Sequence, residues 1–304
     1  MSVMRRADFT KQLQEGLNAV FGLEYDKFPE QWAEVFDETS SDKAYEEYVL
    51  MAGLGGAQVK PEGTGVAYDA GGEVWTQRHV NETIALAFAI TEEAVEDNLY
   101  GNLGAKFSKS LARSMTHTKE IKGVSILNNG FDSNFAIGDG QPLFSASHPL
   151  FYGGTASNLL ATASDLTESS LEDAFILVSL MVDDRGIPIA INPKKLVVAP
   201  QNRFNAERLT QTQMRPGTND NDINAHKNLG MLPGGYCIMQ RLTDPNAWFL
   251  KTDCDEGFIY QRRKSLQRGI EGDFETGNMR YKARERYVFG VNNWRCAVGT
   301  PGSS

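Results

Sequence analysis

The sequence predicts an α+β protein with mixed element order. Apolar residues recur at helical spacing in several separate segments, strand-like runs crowd the last third, and no βαβ alternation is present. A chain of 304 residues suits two packed domains, or one domain with large extensions.

In chain order, residues 7–20 read as a helix, with Phe9, Leu13, Leu17 and Phe21 at spacing four and Asp8 near its start. Tyr25, Phe28, Trp32 and Phe36 follow among acidic residues, and positions 1–50 hold eleven Asp and Glu against five Lys and Arg. A segment so acidic yet studded with aromatics suits a private core poorly. It reads as an arm that docks on a neighbouring copy; a peripheral helix on its own domain is the competing reading. Residues 53–72 are glycine-rich (GLGG, EGTG, AGG), which favours turns and raises backbone entropy. Strand character covers 73–90, with Ile84, Leu86, Phe88 and Ile90 on one face and Val66 and Tyr68 available for an opposing strand. A two-stranded ribbon is not stable alone. Residues 58–78 are therefore expected to extend from the body and bury most of their surface on another subunit.

A long helix is expected from about 91 to 127, with Glu92 and Glu93 in its first turn and Asn129-Gly130 as its stop. Its apolar positions Val95, Leu99, Leu103, Phe107, Leu111 and Met115 keep strict spacing of four, which drifts about 40° per step on a 3.6-residue helix. Such a stripe presents different faces to different partners along its length. Residues 128–163 are loop-rich. Leu171, Ala174, Phe175, Val178, Met181 and Val182 mark an amphipathic helix at about 168–184. A buried strand at 194–199 ends at Pro200, a helix covers 203–213, and 215–222 is a polar loop. Strand-like runs at 236–242, 248–250, 258–261 and 279–289 complete the chain, which has no internal repeat.

The formal net charge of −9 argues against a surface that coats nucleic acid but admits a container with an acidic inner wall. No run of eighteen apolar residues predicts a membrane span, and no apolar stretch near the start fits a signal peptide, so the protein is expected in the cytoplasm. Cys237, Cys254 and Cys296 are far apart and odd in number, as expected of buried reduced thiols.

Motifs for chemistry are sparse. His79, His117, His148 and His226 are scattered, without the short spacing of a zinc site. Asp183-Asp184-Arg185-Gly186 reads as a solvated helix end with a glycine cap. Cys254 breaks the partial calcium-loop pattern of Asp253, Asp255 and Glu256. Ser147-His148-Pro149 has no evident acid or nucleophile partner, and neither GxSxG nor a P-loop occurs. Catalytic, cofactor-binding and metal-binding residues are therefore expected to be absent. One basic cluster stands out: Arg262, Arg263, Lys264, Arg268, Arg280, Lys282, Arg284 and Arg286, against Glu271, Asp273, Glu275 and Glu285. The leading reading is contact with the acidic arm of another subunit. Cross-strand ion pairing within a hairpin and contact with DNA are the alternatives.

Six stretches resemble, in register, the major head subunit of Mu-like tailed phages, which has the Hong Kong 97 (HK97-like) fold. They are Phe9-Thr-Lys-Gln-Leu-Gln-Glu-Gly-Leu, Phe88-Ala-Ile-Thr-Glu-Glu-Ala-Val-Glu-Asp-Asn-Leu-Tyr-Gly and Asp139-Gly-Gln-Pro-Leu-Phe-Ser-Ala-Ser-His-Pro-Leu. Further on come Leu209-Thr-Gln-Thr-Gln-Met-Arg-Pro-Gly, Leu242-Thr-Asp-Pro-Asn-Ala-Trp-Phe-Leu and Tyr281-Lys-Ala-Arg-Glu-Arg-Tyr-Val-Phe-Gly. The resemblance implies an N-terminal arm (1–43), an extended β-hairpin loop and its base (44–86), and a peripheral domain with a long spine helix (87–185). An axial domain (186–275) and a C-terminal strand returning to the peripheral domain (276–304) complete the division.

The function so implied is a non-enzymatic shell protein without cofactor. It forms hexamers and pentamers of itself, making an icosahedral phage head around double-stranded DNA that it meets by non-specific proximity. Scaffold, portal and decoration proteins are the further partners the resemblance admits. The expected location is the virion capsid, with the host cytoplasm during assembly. Expected interface residues are Phe28, Trp32 and Phe36 as apolar anchors, Lys60 near the ribbon tip, and Arg284 and Arg286 on the basic strand. No long N-terminal scaffolding region is legible, implying a separate scaffold or a mature chain. Lys–Asn cross-linking, known in some shells of this fold, is not expected at Lys60. A soluble α+β enzyme and an encapsulin-like protein compartment are the competing functions.

Overall fold

Two long antiparallel strands, β10 (Phe258–Gly272) and β11 (Met279–Val291), form the centre of a four-stranded sheet. This is a computed structural model, and it describes residues 7–27, 29–91, 100–214, 222–272 and 278–303. Strand β1 (Asp37–Ser40) joins one edge in parallel with β10, and β4 (Glu82–Ile90) joins the other antiparallel to β11. A second four-stranded sheet has the order β12-β9-β7-β8: β7 (Pro193–Val198), β8 (Tyr236–Ile238), β9 (Trp248–Thr252) and β12 (Ala297–Thr300). Strands β2 (Tyr45–Ala52) and β3 (Gly72–Val80) pair as a ribbon, and β5 (His148–Pro149) pairs with β6 (Thr155–Ala156). The described helices are α1 (Ala7–Tyr25), α2 (Tyr100–Asn128), α3 (Glu168–Ser179), α4 (Arg203–Thr210) and α5 (Ala225–Asn228).

The stretch 73–90, expected as one strand, is two strands in different sheets. They part at Asn81, whose side-chain NH2 donates to Ser41 Oγ (3.0 Å) and to the Lys43 carbonyl (3.1 Å). Leu86 remains 46% exposed on the face it shares with Ile84 and Phe88, and Val66 and Tyr68 belong to no strand. β10 runs eleven residues past its expected end at 261, because β11 continues to pair with it through a polar, half-solvated stretch.

Helix α2 shows the wandering face that strict four-spacing predicts. Its buried positions include Ser108, Ala112, Thr116, Glu120 and Val124, together with Leu111, Met115, Lys119 and Leu127. From residue 108 to 124 that is four steps, about 160° of rotation at 100° per residue. Leu111, Ala112 and Met115 meet Leu17 and Phe21 of α1 and Tyr281 and Ala283 of β11. Val124 and Leu127 meet a different core, built from Trp32, Phe36, Phe144, Phe249, Phe258, Tyr260, Tyr287 and Phe289. The expected start at 91 lies partly outside the described residues.

Helix α3 opens with a reciprocal capping box between Thr167 and Ser170, which satisfies backbone donors that would otherwise be orphaned. It ends at Ser179, earlier than expected, and buries Leu171, Ala174, Phe175 and Val178 against the second sheet with Trp248, Trp294, Leu196 and Val198.

Between Leu17 and Ser40 the described residues of the acidic N-terminal segment pack on their own chain. Trp32 and Phe36 are each 3% exposed inside the chain's own core. Trp32 lies 4.2 Å from the Tyr260 ring centroid, and Phe36 lies 5.0 Å from Phe289. Helix α1 packs on α2, with Ser108 Oγ donating to the Leu17 carbonyl (3.0 Å). The physical reason is the β1–β10 pairing, which draws residues 31–40 across the first sheet. All three cysteines are free. Burial pushes the thiol of Cys237 up to about 12 and that of Cys254 to about 11, so both stay protonated and unreactive at neutral pH.

Candidate assembly surface

Residues 53–71 connect β2 to β3 without regular structure, and almost every residue is exposed. Val59 and Tyr68 are each 95% exposed, Leu54 is 64% and Val66 63%. Lys60 is exposed in the middle of this segment. The two ends of the loop are tied down by one side chain from a distant turn. Arg185 donates from Nε to the Gly53 carbonyl (2.7 Å) and from Nη2 to the Ala70 carbonyl (2.6 Å) and Tyr152 Oη (2.6 Å). Its Nη1 lies 2.9 Å from Asp69 Oδ2, and its guanidinium sits 4.2 Å over the Tyr152 ring. Asp69 in turn accepts from the Gly55 N–H (2.7 Å) and the Ala70 N–H (2.8 Å).

In the sequence Arg185 reads as no more than part of a helix end. Gly186, at φ 79°, closes a turn in which Asp183 accepts from the Arg185 and Ile187 N–H groups. That turn aims Arg185 at the loop, while Asp184 pairs with buried Arg295 at 3.1 Å.

The Gly55 N–H, then the Ala70 N–H and Arg185, hold the Asp69 carboxyl below its usual range. A depressed folded value means the clasp is complete above the ordinary carboxylate pKa near 3.9 and is lost as pH falls through the folded value. Amide exchange of 53–55 and 69–71, corrected for intrinsic rates, should therefore quicken below about pH 4. It should quicken at all pH in Arg185→Ala.

The ribbon β2–β3 is seated at its other end. Trp75 is 9% exposed, and His79 bonds Asn292 Oδ1 at 2.6 Å. Residue 290 must be glycine here, because a Cβ would come within 2.2 Å of the His79 ring.

Acids of the N-terminal segment pair within their own chain, two of them with β10 and three with β9 and α2. Glu38 pairs with Arg262 (3.0 Å), Asp42 with Arg263 (3.5 Å), Asp37 with Lys251 (3.5 Å), Glu30 with Lys119 (3.1 Å) and Glu24 with Arg113 (2.6 Å). Trp32 and Phe36, each buried in their own chain's core, are therefore not anchors on a neighbouring subunit, which corrects that expectation. Phe28 lies outside the described residues.

Arg284 and Arg286 project from β11 on the face opposite Tyr281, Glu285 and Tyr287, which are buried. Their cross-strand neighbours are Gln267 and Lys264 on β10 and Ala85 and Thr83 on β4. No carboxylate stands opposite either arginine in the register. Further along, Lys282 pairs with Glu271 (3.0 Å), as the hairpin reading expects.

Ser147-His148-Pro149 does have an acid partner. His148 Nδ1 meets Asp139 Oδ2 at 2.5 Å with both side chains fully buried. Its Nε2 meets Asn158 Oδ1 at 3.1 Å, so no hydroxyl occupies the position of a nucleophile. The ring stacks on Trp294 at 4.5 Å, and the cluster is architectural. Among the described residues no helix is long and apolar enough to cross a membrane.

The fold is shared with solved shells. A virus-like particle from Pyrococcus furiosus aligns with a TM-score of 0.53 at 11% identity, over 94% of this chain and 98% of that one. The procapsid of bacteriophage JBD30 gives 0.55 at 16% identity, over 99% and 77%. The capsid of a native GTA particle gives 0.54 at 10% identity, over 91% and 92%. This is the α+β capsid fold of the Hong Kong 97 type. A search of curated proteins finds no match. Residues 76–299 match the family described as phage capsid protein, which favours a phage head over an encapsulin-like compartment. The chain therefore belongs to the phage capsid protein family and is a structural, non-enzymatic protein of the phage head.

Proposed function

We propose that this subunit forms hexamers and pentamers that close into an icosahedral head around double-stranded DNA, with residues 53–71 lying across a neighbouring copy. The observation that supports this is the loop itself. It carries Leu54, Val59, Val66 and Tyr68 in the open and is tied to its own chain only near its ends. Covering each large apolar side chain stabilises by about 2 kcal/mol, and a symmetric shell offers each loop an equivalent surface. Lys60 falls within the proposed contact. On this reading 1–43 is the arm segment, 44–86 the extended loop and its base, 87–185 the peripheral domain, 186–275 the axial domain and 276–304 the returning strand. One amendment is that α3 goes with the axial side, whose sheet it packs on. Purified protein should run as capsomers or particles on gel filtration and show shells in electron micrographs. A small oligomer under all conditions would refute the reading.

A second reading concerns Arg284 and Arg286. With Glu24, Glu30, Glu34, Asp37, Glu38 and Asp42 paired inside the chain, the basic face of β11 is left for a partner outside it. Packaged DNA fits, through phosphate contacts without base readout. Reversing the exposed Arg284 to Glu should lower DNA retained per particle and flatten its salt dependence, leaving subunit stability within about 0.5 kcal/mol. Unchanged DNA content and salt dependence would return the face to a subunit contact. Scaffold and portal proteins are the remaining partners of this proposal.

A further inference from the structure

We propose that Glu168, Glu172 and His226 form a binding site for a divalent cation of the zinc class. Glu168 and Glu172 stand one turn apart on α3, so their side chains share a face. Helix α5 brings His226 to that face. A carboxylate oxygen from each glutamate and a ring nitrogen of His226 all lie within 4.8 Å of one another.

The histidine is built in. It is 5% exposed, edge-on to Phe175 at 5.4 Å, and its backbone N–H donates to Asn224 Oδ1 (3.1 Å) at the helix cap. Its Nε2 is buried and has no hydrogen-bond partner among the described residues. Buried polar atoms are bonded in roughly nine cases of ten, so an imidazole with an orphaned nitrogen, set against two carboxylates, points to a ligand.

Imidazole with carboxylate suits zinc, whereas magnesium and calcium prefer oxygen-only sets. Zinc bonds of about 2.0–2.2 Å put neighbouring ligand atoms about 3.4 Å apart. Closing from 4.8 Å needs rotation of the glutamates, of which Glu172 is exposed and Glu168, half-buried, already has a contact to exchange. Three protein ligands leave a fourth position for water. The ion would tie α3 to α5. Neither the sparse histidines nor any short spacing revealed this site, because His226 lies far along the chain from both glutamates.

The test is equilibrium dialysis of the metal-stripped full chain against Zn2+ with Mg2+ in large excess. About one zinc ion per chain should be retained, and Glu172→Gln and His226→Gln should each weaken retention at least about tenfold. Circular dichroism confirms folding, and the exposed Glu172→Gln variant keeps the test decisive where His226→Gln misfolds. The assignment is overturned by no stoichiometric zinc, by displacement with Mg2+, or by retention unchanged in Glu172→Gln, as zinc held on the cysteines would give.

Discussion

Replacing residues 56–68 with a Gly-Ser-Gly link should abolish shell formation while leaving the subunit folded. The excised residues include Val59, Lys60, Val66 and Tyr68, which are exposed and make no core contact in their own chain. Gly55 and Asp69 stay, and they already lie within hydrogen-bonding distance (2.7 Å), so a short link closes the gap. Shortening a loop changes its closure entropy only slowly with length, and a stability shift of less than about 1 kcal/mol is expected in urea unfolding. Assembly should respond quite differently. Losing Val59, Val66 and Tyr68 at about 2 kcal/mol each removes about 6 kcal/mol from every loop contact, and the deficit recurs at each subunit of a closed shell. Sedimentation should show subunits or capsomers alone where the parent chain forms particles. Normal shells from the shortened chain would mean that this loop carries no subunit contact.

The largest effect on the subunit itself is expected from Asn158→Leu. Asn158 is fully buried, and its NH2 donates to the carbonyls of Leu143 (2.7 Å), Trp294 (3.0 Å) and Ala297 (3.0 Å). Its Oδ1 accepts from the Ser145 N–H (2.9 Å) and faces His148 Nε2. One side chain thus joins the 143–148 turn to the 294–297 return into β12. Leucine has a similar volume and satisfies none of these partners. Each buried group left unpaired costs about 1–3 kcal/mol, so several together should remove on the order of 5 kcal/mol, a large part of a typical domain's stability. Asn158→Asp restores the acceptor but not the donors, and should be nearly as damaging. A loss below about 1 kcal/mol for Asn158→Leu would show that the network is dispensable.

Periodicity made part of this molecule legible. Spacing of four in α2 gave the helix and its turning face, and the apolar stripe Leu171, Ala174, Phe175, Val178 gave α3 and its buried side. Alternation in β11 gave the strand, with Tyr281 and Tyr287 inside and Arg284 outside. What stayed hidden depends on sequence separation. Trp32 and Phe36 announce burial but not whose core they enter, and only the parallel β1–β10 pairing, more than two hundred residues apart, settles it. Asp139 and His148, Asp184 and Arg295, and Arg185 and the 53–71 loop are pairs that no local pattern links. Six stretches in register supplied the family, which no motif of spacing or charge would have done.

The central claim is that residues 53–71 belong to a contact between copies. A density map of assembled particles by electron cryomicroscopy tests it most directly. Val59 and Tyr68, 95% exposed in the single chain, should each be largely buried against an adjacent subunit, with Arg185 still gripping Gly53 and Ala70. A map in which that segment lies on its own subunit, or projects into solvent in a closed shell, would contradict the account.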